Sequence, residues 1–157
     1  MESREAAARL TSMNNESSAD AKPWKRPSIE SFRDSTEKFI APHLTGIGFK
    51  VDRLIDGGSY YAYLFSRNNW GLLVYFEWRE NYMDIRLASD TKLAAFGINL
   101  IDVVRKLGVN VVGLESTELM PTEKRVEWWS TQVLQPSLSF LAKRTGSPKK
   151  SIIETRH

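Results

Sequence analysis

The fold of this chain is indicated most clearly by residues Tyr60–Ala88, YYAYLFSRNNWGLLVYFEWRENYMDIRLA. Apolar and aromatic side chains alternate along it with a period of two, which is typical of β-strands. Asn68-Asn69 falls at the first break in the pattern, and asparagine tolerates the left-handed backbone that a two-residue hairpin turn needs. We therefore predict three antiparallel strands joined by two tight turns.

The first hairpin has a register in which core-type side chains face each other. On what we call the first face of the sheet, the expected pairs are Phe65 with Leu72, Tyr63 with Val74, and Tyr61 with Phe76. On the second face, the expected pairs are Leu64 with Leu73, Ala62 with Tyr75, and Tyr60 with Glu77.

The second hairpin is predicted to turn at Glu80-Asn81. The expected first-face pairs are then Trp78 with Met83, Phe76 with Ile85, and Val74 with Leu87. The expected second-face pairs are Arg79 with Tyr82, Glu77 with Asp84, and Tyr75 with Arg86. A slip of one residue would exchange the two faces and set Phe76 against Asp84, so the alternation itself identifies the core face.

A helix and a further strand are predicted before the meander. Ser28 is a favourable N-cap for the helix, and the glycines at 46 and 48 end it. A strand over Phe49–Leu54 should follow, with Phe49 and Val51 pointing into the core. The connection to the next strand contains one residue more than regular hairpin pairing needs, which predicts a β-bulge.

After Ala88 the apolar period becomes helical. One helix is predicted up to Gly108, or two short helices divided at Gly97, and 109–114 stays open between a fifth strand and a loop. The last helix should begin at Pro121, be interrupted at Pro136 and end at Gly146. The first of these helices would bury Leu93, Phe96, Leu100, Val103, Val104 and Leu107, and the last would bury Val126, Trp129, Val133, Ser137 and Leu141.

This order predicts an α+β fold: an N-terminal helix, a four-stranded antiparallel meander, then two or three helices packed on the sheet, with a short fifth strand left open. We predict a disordered tail over 1–27, one domain over 28–146 and a basic tail over 147–157. The formal charge is +3, and it is unevenly placed: +1 over 1–27, −2 over 28–142 and +4 over 143–157.

Composition excludes several chemistries. The chain has no cysteine, so it has no disulfide, thiol nucleophile or cysteine-based zinc site. Its two histidines, His43 and His157, do not predict a metal site, and Asp56-Gly57-Gly58 joins two strands rather than a strand and a helix, as a phosphate loop would. We therefore predict no cofactor. No signal peptide or apolar run of about 18 residues is visible, so we expect a cytoplasmic protein with no membrane partner.

The polar side chains of the second face are the best candidate site. They are Tyr60, Tyr75, Glu77, Arg79, Tyr82, Asp84 and Arg86. They favour a solvated lattice of ion pairs or, as a functional interpretation, a surface that binds another protein, since tyrosine and arginine are enriched in binding hot spots. Acid–base chemistry by Glu77 and Asp84 would require both carboxylates to be buried. Leu64 and Leu73 on the same face should be covered by the last helix.

Gly46-Ile47-Gly48-Phe49, leading into the first strand, and the order of elements over 28–142 resemble small bacterial uncharacterised and immunity-type domains. That resemblance implies a protein that binds and neutralises a toxin partner through a polar or acidic surface. We thus expect a protein-binding module rather than an enzyme. Two alternatives stay open: nucleic-acid binding by Trp24-Lys25-Arg26, Lys143-Arg144 and Lys149-Lys150, or a small-ligand protein or enzyme that uses Glu77 and Asp84.

Overall fold

A computed structural model describes residues 26–147, and the predicted tails fall outside these residues apart from Arg26, Pro27 and Ser147. The basic clusters at 24–25 and 149–150 lie outside the described residues. Three hydrogen bonds connect the first and last described residues to side chains of the sheet. Arg26 Nε donates to the Tyr61 hydroxyl at 3.0 Å, that hydroxyl donates to the Pro27 carbonyl at 2.8 Å, and Trp70 Nε1 donates to the Ser147 carbonyl at 3.2 Å.

The predicted α+β architecture is confirmed in the described chain. Helices precede and follow an antiparallel sheet whose five strands lie side by side in sequence order. The elements are α1 (Ile29–Phe39), α2 (Ala41–Thr45), β1 (Lys50–Asp56), β2 (Tyr61–Arg67), β3 (Trp70–Glu77), β4 (Tyr82–Ala88), a 3₁₀ turn (Thr91–Phe96), β5 (Ile98–Asn99), α3 (Leu100–Lys106), a 3₁₀ turn (Glu115–Leu119), α4 (Thr122–Trp129), a π-helical stretch (Ser130–Leu134), a 3₁₀ turn (Gln135–Ser137) and α5 (Leu138–Arg144).

The β2–β3 hairpin has the predicted register. Asn68 and Asn69 both adopt positive φ, at 50° and 70°, as the two-residue turn requires. The ladder runs from the turn to the pair of Tyr61 with Phe76, so the expected pair of Tyr60 with Glu77 lies beyond its end.

The predicted register of the β3–β4 hairpin is wrong by two residues. Its connection has four residues, Trp78 to Asn81, instead of two. The observed pairs are Leu72 with Leu87, Leu73 with Arg86, Val74 with Ile85, Tyr75 with Asp84, Phe76 with Met83, and Glu77 with Tyr82. A shift of two leaves every side chain on its predicted face, but it moves Glu77 away from its position opposite Asp84.

The reason for the longer turn is a contact from a distant helix. Asn81 has a φ of 56°, and Arg125 of α4 donates to its side-chain oxygen at 2.6 Å and to its carbonyl at 2.9 Å. The guanidinium therefore holds the turn at Asn81, a residue type that tolerates this left-handed backbone.

The predicted bulge is present, and it lies in β1 between Val51 and Arg53. Phe49 is buried as expected, whereas Val51 is 49% exposed, so the prediction that Val51 points into the core is wrong. The reason is that β1 is the edge strand of the sheet.

The segment after β4 is divided at Gly97. A Cβ on Gly97 would lie 2.4 Å from the Leu87 carbonyl oxygen, so only glycine lets the chain pass this close to β4. The chain then forms β5, which makes Ile98–Asn99 the fifth strand while 109–114 is irregular. Leu93, Phe96 and Leu107 are exposed, so the prediction that these three belong to the helical core is wrong.

The helices cover the first face of the sheet. The predicted buried stripe of the last helical segment is confirmed, and Pro136 lies where α-helical geometry is interrupted. The prediction that this segment covers Leu64 and Leu73 is wrong, because its apolar stripe packs against the first face. On the second face, Leu64 and Leu73 pack instead with Ala62 and with Ala94 of the Thr91–Phe96 turn. No helix within residues 26–147 is long and apolar enough to cross a membrane.

The Thr91–Phe96 turn, which we call the roof turn, sits directly on the backbone of β3. A Cβ on Gly71 would lie 2.8 Å from Thr91 Cα and 3.2 Å from Ala94 Cβ. A glycine in the middle of a strand thus marks the point where a second backbone segment approaches closely.

Replacing Gly71 with alanine should push the roof turn away from the sheet. We expect the free energy of unfolding to fall by about 1–3 kcal/mol, as for other overpacked sites. Denaturant unfolding measures this, and Ser66→Ala, at the residue paired with Gly71 in β2, should change stability by less than about 0.5 kcal/mol. Equal stability of Gly71→Ala and the parent protein would show that the turn does not rest on β3.

Candidate functional site

A cavity of about 360 Å³ lies between the second face and the roof turn. Its floor is apolar, and two tyrosines stand at its side. The residues that line it are Arg53, Ile55, Tyr60, Ala62, Leu64, Leu73, Tyr75, Arg86, Thr91, Lys92, Ala94, Ala95 and Phe96. The cavity therefore combines an apolar interior with three cationic side chains and no acidic one.

Two of the cations are uncompensated. Arg53 comes from β1 and Lys92 from the roof turn, and neither forms an ion pair with any residue from 26 to 147. Asp90 N-caps the roof turn by accepting from the Lys92 backbone N–H at 2.9 Å. This hydrogen bond fixes the start of the turn and the position of the Lys92 backbone. The cavity thus carries an excess of positive charge that favours an anionic group.

The third cation, Arg86, ties the sheet to the roof turn. Its Nε donates to Asp84 Oδ2 at 2.9 Å, and its Nη1 donates to the Ala95 carbonyl at 2.6 Å. Asp84 is 1% exposed, and its Oδ2 also accepts from the Tyr82 hydroxyl at 2.6 Å. The buried carboxylate therefore holds Arg86 in position and neutralises its charge.

The two tyrosines form an ordered aromatic wall. The Tyr60 and Tyr75 rings are 5.2 Å apart, and the Arg86 guanidinium lies 4.4 Å from the Tyr75 ring centroid. A Cβ on Gly57 would lie 2.0 Å from the Tyr60 ring, so this glycine lets the ring lie against the β1–β2 loop. The Tyr75 hydroxyl donates to Glu77 Oε1 at 2.9 Å. Partial burial and this hydrogen bond raise the pKa of Tyr75 to about 12.

The structure separates the seven predicted site residues into three groups. Tyr60, Tyr75 and Arg86 line the cavity. Glu77 accepts from Tyr75, Asp84 accepts from Arg86, and Tyr82 donates to Asp84. Arg79 lies in the β3–β4 turn, with its guanidinium 5.8 Å from the Trp78 ring centroid. Glu77 and Asp84 are not opposite each other, which corrects the predicted carboxylate pair.

Sequence reasoning missed Arg53, Lys92 and Phe96. Their positions depend on the bulge in β1 and on the roof turn, neither of which has a clear apolar period. Two glycines in the sequence could have indicated these positions: Gly71 lies inside a predicted strand, and Gly97 lies inside an expected helix. Each marks a close backbone approach that brings the roof turn onto the second face.

The chemistry available here is recognition of an anion attached to an apolar group. Arg53 and Lys92 can pair with the anion, while Leu64, Leu73 and the tyrosine wall can contact the apolar part. Asp84 is held beneath the surface by two hydrogen bonds, so it positions Arg86 instead of contacting a ligand. Within residues 26–147, no group of three His, Cys, Asp or Glu side chains could hold a metal ion.

Stability should depend on the Tyr75 proton at high pH. An unfolded tyrosine ionises near pH 10, whereas folded Tyr75 keeps its proton up to about pH 12. The stability from this difference is complete below pH 10 and is lost as pH rises towards 12. Urea unfolding between pH 9 and 11.5 should therefore show a shallower loss of stability for Tyr75→Phe than for the parent protein. Parallel curves would contradict the assignment.

Removing the charge of Asp84 should destabilise the site. Asp84→Asn leaves the half-buried Arg86 without its carboxylate, and we expect a loss of about 2–3 kcal/mol in the free energy of unfolding. The matched control is Glu77→Gln, which keeps an oxygen acceptor for the Tyr75 hydroxyl and should cost less than about 1 kcal/mol. A small effect of Asp84→Asn would show that Arg86 does not depend on this carboxylate.

No protein-family model, no curated protein and no solved structure matches this chain.

Proposed function

We propose that this chain is a protein-binding module that recognises an acidic partner through the second face of its sheet. The observation that supports this proposal is the cavity under the roof turn, where an apolar floor adjoins Arg53 and Lys92, two cations with no ion-pair partner among residues 26–147. Such a site fits a carboxylate side chain that the partner presents next to an apolar one.

An exposed apolar ridge beside the cavity adds area for a partner. Phe96 is 85% exposed and lines both the cavity and a second depression of about 490 Å³. Leu93 and Ile98 line that second depression and are about half exposed. Adjacent exposed apolar side chains are typical of interaction surfaces, and aromatic and arginine side chains contribute most to binding energy in such surfaces.

The charge of the surface defines the kind of partner. The resemblance to immunity-type domains implied a toxin partner and a polar or acidic surface. Here the cavity is cationic, so a toxin partner for this chain would present an acidic surface. Association should then be faster at low ionic strength, because complementary charges steer the encounter of the two proteins.

A small-molecule ligand is the second candidate, and the size of the cavity favours it. Small-molecule sites commonly enclose roughly 300–1,000 Å³, with apolar walls and a few polar groups that fix orientation. The same cations would then bind the carboxylate or phosphate of a free ligand. A protein partner is preferred because the apolar ridge continues outside the cavity.

Variants at the cavity and the ridge test the proposal. Arg53→Glu reverses one uncompensated cation, and Phe96→Ala removes the centre of the ridge. Each should weaken the binding of a captured partner at least tenfold, because central hot-spot residues commonly contribute 2 kcal/mol or more. Parallel pull-downs with tagged variants followed by titration of the purified partner measure this effect.

Two controls match these changes. Lys50→Glu makes a charge reversal in the same strand, outside the cavity, and Leu119→Ala removes an apolar side chain that is exposed in the second 3₁₀ turn. Both should retain the partner. A partner that binds all four variants equally would exclude the second face as the interface.

A further inference from the structure

Arg125 is a buried cation that forms no ion pair within residues 26–147. It is 4% exposed, and both of its terminal nitrogens donate to Asn81, a neutral residue. No acidic side chain in the described part of the chain lies within ion-pair distance of it. Burial lowers the pKa of Arg125 to about 10, and the exposed carboxylate of Glu118 only partly opposes this effect.

Two buried N–H groups, on residues one helical turn apart in α4, have no acceptor within residues 26–147. Arg125 Nε and Trp129 Nε1 are both buried, and neither donates a hydrogen bond to any atom of residues 26–147. Arginine and tryptophan side chains have no acceptor, so both groups require one from elsewhere. A buried donor without an acceptor is destabilising, and more so when it is charged.

Both side chains line one cavity of about 220 Å³, which shares no residue with the cavity under the roof turn. Met83, Ile101 and Leu114 supply its apolar wall, and the exposed Glu118 also lines it, so Arg125 and Glu118 are its two charged side chains. A single water molecule occupies about 30 Å³ in the liquid, so this space admits a small organic molecule as well as water. The cavity therefore suits a very small molecule with one acceptor end and one apolar end.

We propose that this cavity binds a small organic carboxylate, with its oxygens accepting from Arg125 Nε and Trp129 Nε1. The carboxylate supplies the missing negative charge for Arg125 and the missing acceptor for the indole. A short hydrocarbon part contacts Met83, Ile101 and Leu114. Inorganic anions satisfy the two donors but leave the apolar wall without a partner, which is why a carboxylate fits this site better.

Occupation of this site would stabilise the β3–β4 hairpin. Arg125 holds Asn81, and Asn81 in turn donates to the Glu118 carbonyl at 3.2 Å. A ligand that fixes Arg125 therefore acts on the turn that sets the strand register. This role is independent of the proposed protein-binding surface, which lies on the opposite face of the sheet.

Titration of the ¹⁵N-labelled protein with propionate tests the site. We expect the Trp129 indole N–H resonance to shift and to saturate, with a dissociation constant on the order of millimolar for so small a ligand. Propionamide has nearly the same shape without the charge, and it should cause no saturable shift at matched ionic strength. Phosphate should bind more weakly than propionate.

Two tryptophan variants complete the test. Trp129→Phe keeps an aromatic ring and removes the N–H donor, so it should weaken propionate binding about tenfold, read from the Asn99 side-chain amide that lines the same cavity. Trp128→Phe is the matched control and should leave the affinity unchanged. A linear shift in the parent protein, an equal response to propionamide or phosphate, or unchanged affinity in Trp129→Phe would each overturn the proposal.

Discussion

The contact between the roof turn and Gly71 is the constraint on which the second face depends. It brings two backbone segments so close that a single added carbon on Gly71 would lie 2.8 Å from Thr91 Cα. Because the turn is seated there, Ala94 covers Leu64 and Leu73, the Ala95 carbonyl accepts from Arg86, and Lys92 lines the cavity. Without this approach the second face would be an open sheet surface instead of an enclosed site.

The two faces of the sheet differ in how their side chains are packed. The first face packs against the helices and supplies most of the buried apolar side chains. The second face has only a small apolar cluster, and its order comes from a hydrogen-bonded network centred on Asp84. Burial of apolar side chains on the first face therefore contributes most of the hydrophobic stabilisation of the fold. The second face carries Arg53 and Lys92, which form no ion pair within residues 26–147, and it adjoins the exposed apolar ridge.

The local period of the sequence was sufficient to predict the faces of the sheet and the register of the β2–β3 hairpin. Asn68-Asn69 and the alternating side chains act over short distances, so both are visible in the chain itself. The β3–β4 turn could not be predicted in this way, because its length depends on Arg125, which is 44 residues away along the chain. Only part of the candidate site could be predicted, because some of its residues are placed by contacts between segments distant in sequence. Tyr60, Tyr75 and Arg86 follow from alternation, whereas Lys92 and Phe96 depend on how the roof turn packs.

Methyl NMR spectra of the leucine-labelled protein, recorded with and without a captured partner, show whether the partner binds on the second face. If it does, the methyl resonances of Leu64 and Leu73 in the cavity floor shift, as do those of Leu93 on the ridge, while those of Leu141 in the first-face core stay in place. Shifts confined to Leu141 and its neighbours, with Leu64, Leu73 and Leu93 unchanged, would contradict binding on this face.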